Sequence, residues 1–236
     1  MKRLLLIVAV CLLGVMEASA QYYPRNIIGV RGGMNISTMS LRADGADGLN
    51  DIRNPKVGWH IGVVDEILLL KDTPLYLDFG VTLSNKGVRY VSDGSLEGFD
   101  SAVQVVSKSV AQYGVGYLQI PVAVSYHVYF GDFTLQPYAG LHYDVGLWGR
   151  LVASEKVKSK TNPELNSRTK TVENLYKTHS LRRSDFGVML GVGVTYRERY
   201  YFGVSWEDGF CNMMPKDYDV KFRNLSNFRI SVGYNF

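Results

Sequence analysis

Phe228-Arg229-Ile230-Ser231-Val232-Gly233-Tyr234-Asn235-Phe236 ends the chain in strict alternation. Phe228, Ile230, Val232, Tyr234 and Phe236 are large and apolar, whereas Arg229, Ser231, Gly233 and Asn235 are polar or tiny. A period of two marks a strand, because successive side chains of a strand point to opposite faces. One apolar face backed by one small or polar face suits a barrel wall standing between lipid and a polar interior.

The same period recurs upstream. In residues 28–36, Ile28, Val30, Met34 and Ile36 share one face and Arg31, Gly33 and Asn35 the other. Further segments alternate over residues 57–69, 75–84, 118–128, 135–151, 186–196 and 200–207, for a predicted total of eight strands. Asp65 interrupts the apolar face of the second. A carboxylate facing lipid is costly, so a β-bulge near residues 63–66 or a place at the membrane boundary is expected there. In the sixth strand Gly187, Gly191 and Gly193 fall on the inner face, which leaves room for bulky partners across a narrow lumen.

The links alternate as strictly as the strands. Those after the second, fourth and sixth strands are a few residues long, with turn formers such as Lys71-Asp72-Thr73-Pro74 and Gly131-Asp132. Those after the first, third, fifth and seventh cover roughly residues 40–56, 91–116, 152–184 and 208–227. The expected fold is an all-β, eight-stranded antiparallel up-and-down transmembrane β-barrel with short periplasmic turns and long extracellular loops. A soluble lipocalin-like barrel has the same strand number but turns its large apolar residues inward. The continuous Gly, Arg, Asp and Asn of the second face favour the membrane. Aromatic residues at both strand ends fit interfacial girdles: Trp59 and Trp206 at one, Phe130, Phe133, Tyr196, Tyr200, Tyr234 and Phe236 at the other.

At the amino terminus, Lys2 and Arg3 precede the apolar run 4–15 and the small residues Ala18-Ser19-Ala20. These are the parts of a secretory signal peptide, so residues 1–20 are expected to be removed and residues 21–236 to form one barrel domain. Removal takes away Cys11 and leaves Cys211 alone, which excludes an intramolecular disulfide. The whole chain carries a net charge of +4, too mild an excess for a nucleic-acid binder. Mean hydropathy is near zero at −0.04, as expected where lipid-facing and lumen-facing residues cancel.

Five short motifs carry a resemblance. They are Gly29-Val30-Arg31-Gly32-Gly33-Met34-Asn35-Ile36-Ser37, Tyr117-Leu118-Gln119-Ile120-Pro121, Gln136-Pro137-Tyr138-Ala139-Gly140, Asp185-Phe186-Gly187 and the terminal Val232-Gly233-Tyr234-Asn235-Phe236. In order and spacing the chain resembles the PorT-like outer-membrane β-barrel family of Gram-negative bacteria over essentially its whole mature length. The resemblance implies an eight-stranded barrel; a role in protein secretion belongs to a subset of that family.

Inward charges form the main candidate site. Arg31, Glu66, Asp78, Asp144, Arg150, Arg197 and Arg229 need partners inside a lumen, because an unpaired buried charge is strongly unfavourable. With His142, which shares a face with Asp144, they are expected to form a structural polar network that plugs the barrel. His142 and Asp144 also resemble half of a hydrolytic constellation, but no serine is placed beside them as nucleophile. The longest link holds Lys156, Lys158, Lys160, Arg168, Lys170, Lys177, Arg182 and Arg183 against Glu155, Glu164 and Glu173, a surface suited to lipopolysaccharide phosphates or another anionic ligand. In the first link, Asp44, Asp47, Asn50 and Asp51 lack EF-hand spacing for calcium.

The expected protein is a non-enzymatic outer-membrane barrel with a structural or surface-binding role. A small pore, a secretion accessory and, last, a hydrolase are the alternatives. Expected partners are outer-membrane lipids and lipopolysaccharide, the barrel assembly machinery that takes the terminal strand 228–236 as its signal, and a surface ligand of unidentified kind. Neither a cofactor nor a metal is expected, and a monomer is favoured because a closed barrel needs no partner.

Overall fold

In the computed structural model the described residues are 23–43, 53–97, 104–159, 166–178, 181–213 and 220–236. They form β1 (Asn26–Ala43), β2 (Arg53–Leu70), β3 (Thr73–Glu97), β4 (Gln104–Tyr126), β5 (Val128–Phe130), β6 (Phe133–Ser159), β7 (Ser167–Asn174), β8 (Ser184–Tyr196), β9 (Tyr200–Gly209) and β10 (Val220–Asn235). Each wall strand pairs antiparallel with the next around the ring β1-β2-β3-β4-β6-β8-β9-β10, and β10 pairs with β1. The ladder returns to its first strand, so no edge is left to satisfy. β5 continues β4 past a break at His127, and β7 folds back as a hairpin on the far end of β6. Eight wall strands result, as the periodicity predicts.

Burial is inverted relative to a water-soluble barrel. Ile61, Val63, Leu190 and Val232 are 58%, 54%, 60% and 59% exposed on the outer surface, while Asn35, Gln119 and Asp144 are fully buried within. On β2 the apolar stripe runs from Val57 to Leu69. At ~3.3 Å per residue and a tilt of ~40° it rises on the order of 30 Å, the height of a hydrocarbon core. At the short-turn end Phe130, Phe133, Tyr196, Tyr200, Tyr234 and Phe236 form an aromatic belt. Phe133 lies 6.2 Å from Phe130 and 5.0 Å from Tyr196, and Tyr234 lies 5.7 Å from Tyr200 and 5.6 Å from Phe236. Phe130 pairs with Phe133 across a two-residue turn in which Gly131 takes a left-handed φ of 62°.

Three local expectations are corrected. Residues 91–116 are not a loop throughout: β3 and β4 remain paired from Val91 opposite Val110 up to Glu97 opposite Gln104. Beyond the apolar belt water lies on both sides of a sheet, so the alternation that reveals a strand is no longer needed, and Ser92, Asp93, Ser107, Lys108 and Ser109 hide it. No bulge re-aims Asp65: β2 stays in register with β1 from Ile67 to Lys56, and its irregularities fall at Pro55/His60 and Leu68/Leu70. Asp65 therefore stays on the outer face, half-buried between Ile28 and Phe79, toward the short-turn end. The third correction concerns β6. Gly116 pairs with Trp148 but Tyr117 with Gly146, so an extra residue at Leu147 reverses the faces of everything beyond it.

Candidate functional site

The lumen is filled in three tiers, each built from the inward positions of the wall. Nearest the short turns, Arg31 of β1 bonds Glu66 of β2 at 3.0 Å and lies with its guanidinium 3.9 Å from the centroid of the Tyr201 ring. Arg31 fits there because its neighbours on the adjoining strands are Gly62 and Gly233; a Cβ at Gly233 would lie 2.6 Å from the Arg31 Cδ. In the same tier Ser125 donates to Asp78 at 2.8 Å, and His127 stacks on Tyr76 at 4.0 Å. Beside these charges a chamber of about 90 Å³ is lined by Arg31, Glu66, Asp78 and Tyr201, and a second of about 100 Å³ by His127, Tyr129 and Gln136, each with room for a few water molecules.

The middle tier spans the barrel. Lys86 of β3 reaches Asp144 of β6 at 2.8 Å and Glu207 of β9 at 3.0 Å. β3 and β9 stand four places apart in the ring of eight, so the Lys86–Glu207 bridge crosses the lumen from wall to wall. Glu207 also accepts from Arg229, from Asn227 at 2.9 Å and from Gln119 at 3.2 Å, and Arg229 donates to Gln119 at 2.8 Å. Two cations face two carboxylates, all at 8% side-chain exposure or less. Such a cluster is tolerable only because each charge is paired and hydrogen-bonded. His142 Nδ1 lies 3.1 Å from Asp144, and its ring edge faces Gly187, where a Cβ would collide with it.

Toward the long links the filling becomes apolar. Met39, Val88, Val115, Tyr117, Leu175, Tyr176, Leu181 and Met213 make one buried cluster. Leu175, Tyr176 and Leu181 come from the β7–β8 link and Met213 from the link after β9, so both fold back into the mouth. Arg183 fastens the first of them, donating to Gly146 O at 2.9 Å with its guanidinium 4.4 Å from the centre of the Tyr176 ring. Burial pushes the Tyr176 phenol up to about 12.

Of the eight predicted lumen residues, Arg31, Glu66, Asp78, His142, Asp144 and Arg229 meet inside. Arg150 does not: the bulge at Leu147 turns it outward, where it is exposed. Arg197 does not either, because it sits in the β8–β9 turn at a φ of 50° and pairs with Asp132 of the neighbouring turn at 3.2 Å in water. Lys86 and Glu207, the centre of the network, are absent from the predicted set because both fall at the expected strand ends; continued alternation through Thr82, Ser84 and Lys86, and through Gly203, Ser205 and Glu207, carried the signal. His60 is held between Asn35 at 2.8 Å and Ser231 at 2.9 Å. Among the described residues His142 has no serine or cysteine partner.

Phe228, Ile230 and Val232 face outward on β10, the strand that closes against β1, Phe236 is exposed just past its end, and Tyr234 lies in the aromatic belt beside them. The cations of the long link divide. Lys156 stands opposite Arg168, with Lys170 two residues further along β7, all exposed. Lys177 and Arg182 are exposed near the mouth, and Arg183 is engaged there with Tyr176. Lys158 lies in β6 opposite Val106, while Lys160, Glu164 and the acidic group 44–51 lie outside the described residues.

The model of the outer membrane protein beta-barrel domain family matches residues 19–212. The chain belongs to this family. The outer-membrane barrel also resembles solved structures at low identity. Against the attachment invasion locus protein Ail of Yersinia pestis the identity is 13% and the TM-score 0.35, with 90% of this chain and 100% of that one covered. For OprG of Pseudomonas aeruginosa they are 14% and 0.37, with 91% and 98% covered. For a major outer membrane protein of Thermus thermophilus they are 11% and 0.41, with 90% and 100% covered. No curated protein matches the sequence.

Proposed function

We propose that this outer-membrane barrel is a non-enzymatic, PorT-like envelope protein that does not conduct solutes and acts through the surface at its long-loop end. The observation that carries the reading is the Lys86 bridge to Asp144 and Glu207. It crosses the lumen at mid-height, between a small polar chamber and an apolar stopper formed by the protein's own links. A pore needs a continuous water path, and opening one past the bridge would pull buried charges away from their partners. A hydrolase needs a base that substrate can reach, whereas His142 is 2% exposed and faces the interior.

Residues 1–20 act as a cleaved export signal, the short turns lie in the periplasm, and the strand from Phe228 to Phe236 is the segment the barrel assembly machinery recognises. The closed ring functions as a monomer. Nothing among the described residues favours a secretion accessory over this reading.

Liposome swelling tests it. Mature protein refolded into vesicles is expected to migrate as a heat-modifiable band yet admit neither glycine nor arabinose faster than protein-free vesicles. Swelling at a porin-like rate by the folded form would overturn the sealed lumen.

A further inference from the structure

Above the apolar belt, β4, β6 and β7 continue as a sheet whose charges are sorted by face. Asp93, Lys108, Lys156 and Arg168 are directly opposite one another on β3, β4, β6 and β7, so three cations stand in one row against one acid. Asp93 is already paired with Lys108 at 3.2 Å. Lys170 stands one step nearer the belt, and Arg150, turned outward by the Leu147 bulge, lies nearer still, two residues beyond the exposed Trp148. Glu155 and Glu173, the acids of the same hairpin, belong to the other face, opposite Ser109 and Leu151.

Like charges directly opposite in a sheet are destabilising, so the row gains nothing for folding without a counter-ion. From Trp148 to Lys156 the strand rises on the order of 20 Å at ~3.3 Å per residue and a ~40° tilt, while Arg150 stands about 5 Å above Trp148. The cations thus form a ladder that begins where the lipid-facing surface ends and faces away from the barrel axis. We infer that this face docks a phosphorylated glycolipid of the surrounding leaflet, one carrying phosphates both at the headgroup sugars and further out, with Arg150 meeting the inner phosphates and Lys170, Lys156 and Arg168 the outer ones. The inference rests on the proposed membrane orientation, and it names the ligand class of the loop-end surface.

The test uses the full mature chain refolded into phosphatidylcholine vesicles with a graded fraction of lipopolysaccharide bearing phosphorylated core sugars, followed by detergent extraction and phosphate-glycolipid counting per protein. Parallel series use diphosphoryl lipid A, phosphatidylglycerol and free inorganic phosphate. The expected result is saturable retention of lipopolysaccharide, weaker retention of lipid A, and none of phosphatidylglycerol or free phosphate. At about 1 kcal/mol per cation, the triple change Lys156→Gln/Arg168→Gln/Lys170→Gln should raise the half-saturating fraction on the order of 100-fold, while Lys71→Gln, in the exposed β2–β3 turn at the other end of the barrel, leaves it unchanged. Equal retention by the triple variant, or equal retention of phosphatidylglycerol, overturns the inference. Heat modifiability separates the two readings: a variant that inserts but ignores the glycolipid to no greater extent than wild type sinks this one alone, whereas a wild-type chain that never inserts sinks the barrel itself.

Discussion

Replacing Lys86 by methionine asks the most of the plug. Methionine keeps the apolar stem of the lysine, so the packing loss is small and the change isolates the charge. Lys86 is shared by two carboxylates whose side chains are 0% and 1% exposed. Without it Glu207 keeps Arg229, Asn227 and Gln119, whereas among the described residues Asp144 keeps only His142 at 3.1 Å. Removing one partner of a buried pair costs about 3–5 kcal/mol, because the remaining charge is left without compensation. The expected loss on Lys86→Met is of that size, measured by urea unfolding in phospholipid vesicles followed through tryptophan emission. Adding Asp144→Asn should recover about half, since the stranded charge disappears and its hydrogen bonds are largely kept. A loss below about 1 kcal/mol, the size seen for pairs in water, would refute the reasoning, because Lys86 would then have to be solvated.

Gly33 and Gly32 provide an internal control for wall packing. A Cβ at Gly33 would run into the carbonyl of Ile230, whereas one at Gly32 meets nothing nearer than 3.5 Å, so Gly33→Ala should cost about 1–3 kcal/mol and Gly32→Ala less than about 0.5 in the same unfolding assay. The mouth should loosen in alkali. Tyr176 has its folded value raised from 10 to about 12, so the neutral phenol's contribution is intact below pH 10 and is lost as pH climbs from 10 to 12. Limited proteolysis between residues 166 and 184 should accelerate over that window in the wild type and not in Tyr176→Phe. Arg197→Ala, by contrast, removes an ion pair whose side chains are 65% and 59% exposed and should change stability by less than about 1 kcal/mol.

What could be read from residue order alone follows the bilayer. Where lipid lies on one side and a packed lumen on the other, each strand must alternate, and β8 and the terminal residues 228–236 show the pattern without a break. Arg31, Glu66, Asp78, His142, Asp144 and Arg229 are placed by that rule alone. It fails where its physical cause ends. Beyond the belt the strands carry polar residues on both faces, so the β3–β4 extension and the β7 hairpin look like loops. Lys86 is missed at the edge of that change: the inward alternation of Thr82, Ser84 and Lys86 continues, but the outward apolar residues stop at Leu83, with Asn85 and Gly87 following. Arg150 fails for another reason: one extra residue in β6 shifts the parity of all that follow, and no local composition around Leu147 announces a bulge. Nor does any short-range pattern show that Leu175, Tyr176 and Met213 turn back into the mouth, because that contact is between segments far apart in sequence. The salt-bridge partners are legible as a requirement for pairing, but which charge meets which depends on a ring that only the register defines.

The sealed lumen is tested most directly at the Lys86 ammonium itself. In ¹⁵N-lysine-labelled protein in micelles at neutral pH, an ammonium enclosed between Asp144 and Glu207 exchanges its protons slowly enough to give a Nζ–Hζ cross-peak, while water-exposed lysines lose theirs to rapid exchange. A protected signal that disappears in Lys86→Met is the expected result. Its absence from the folded wild-type barrel would mean that water reaches the bridge, and the lumen would then be a channel and not a plug.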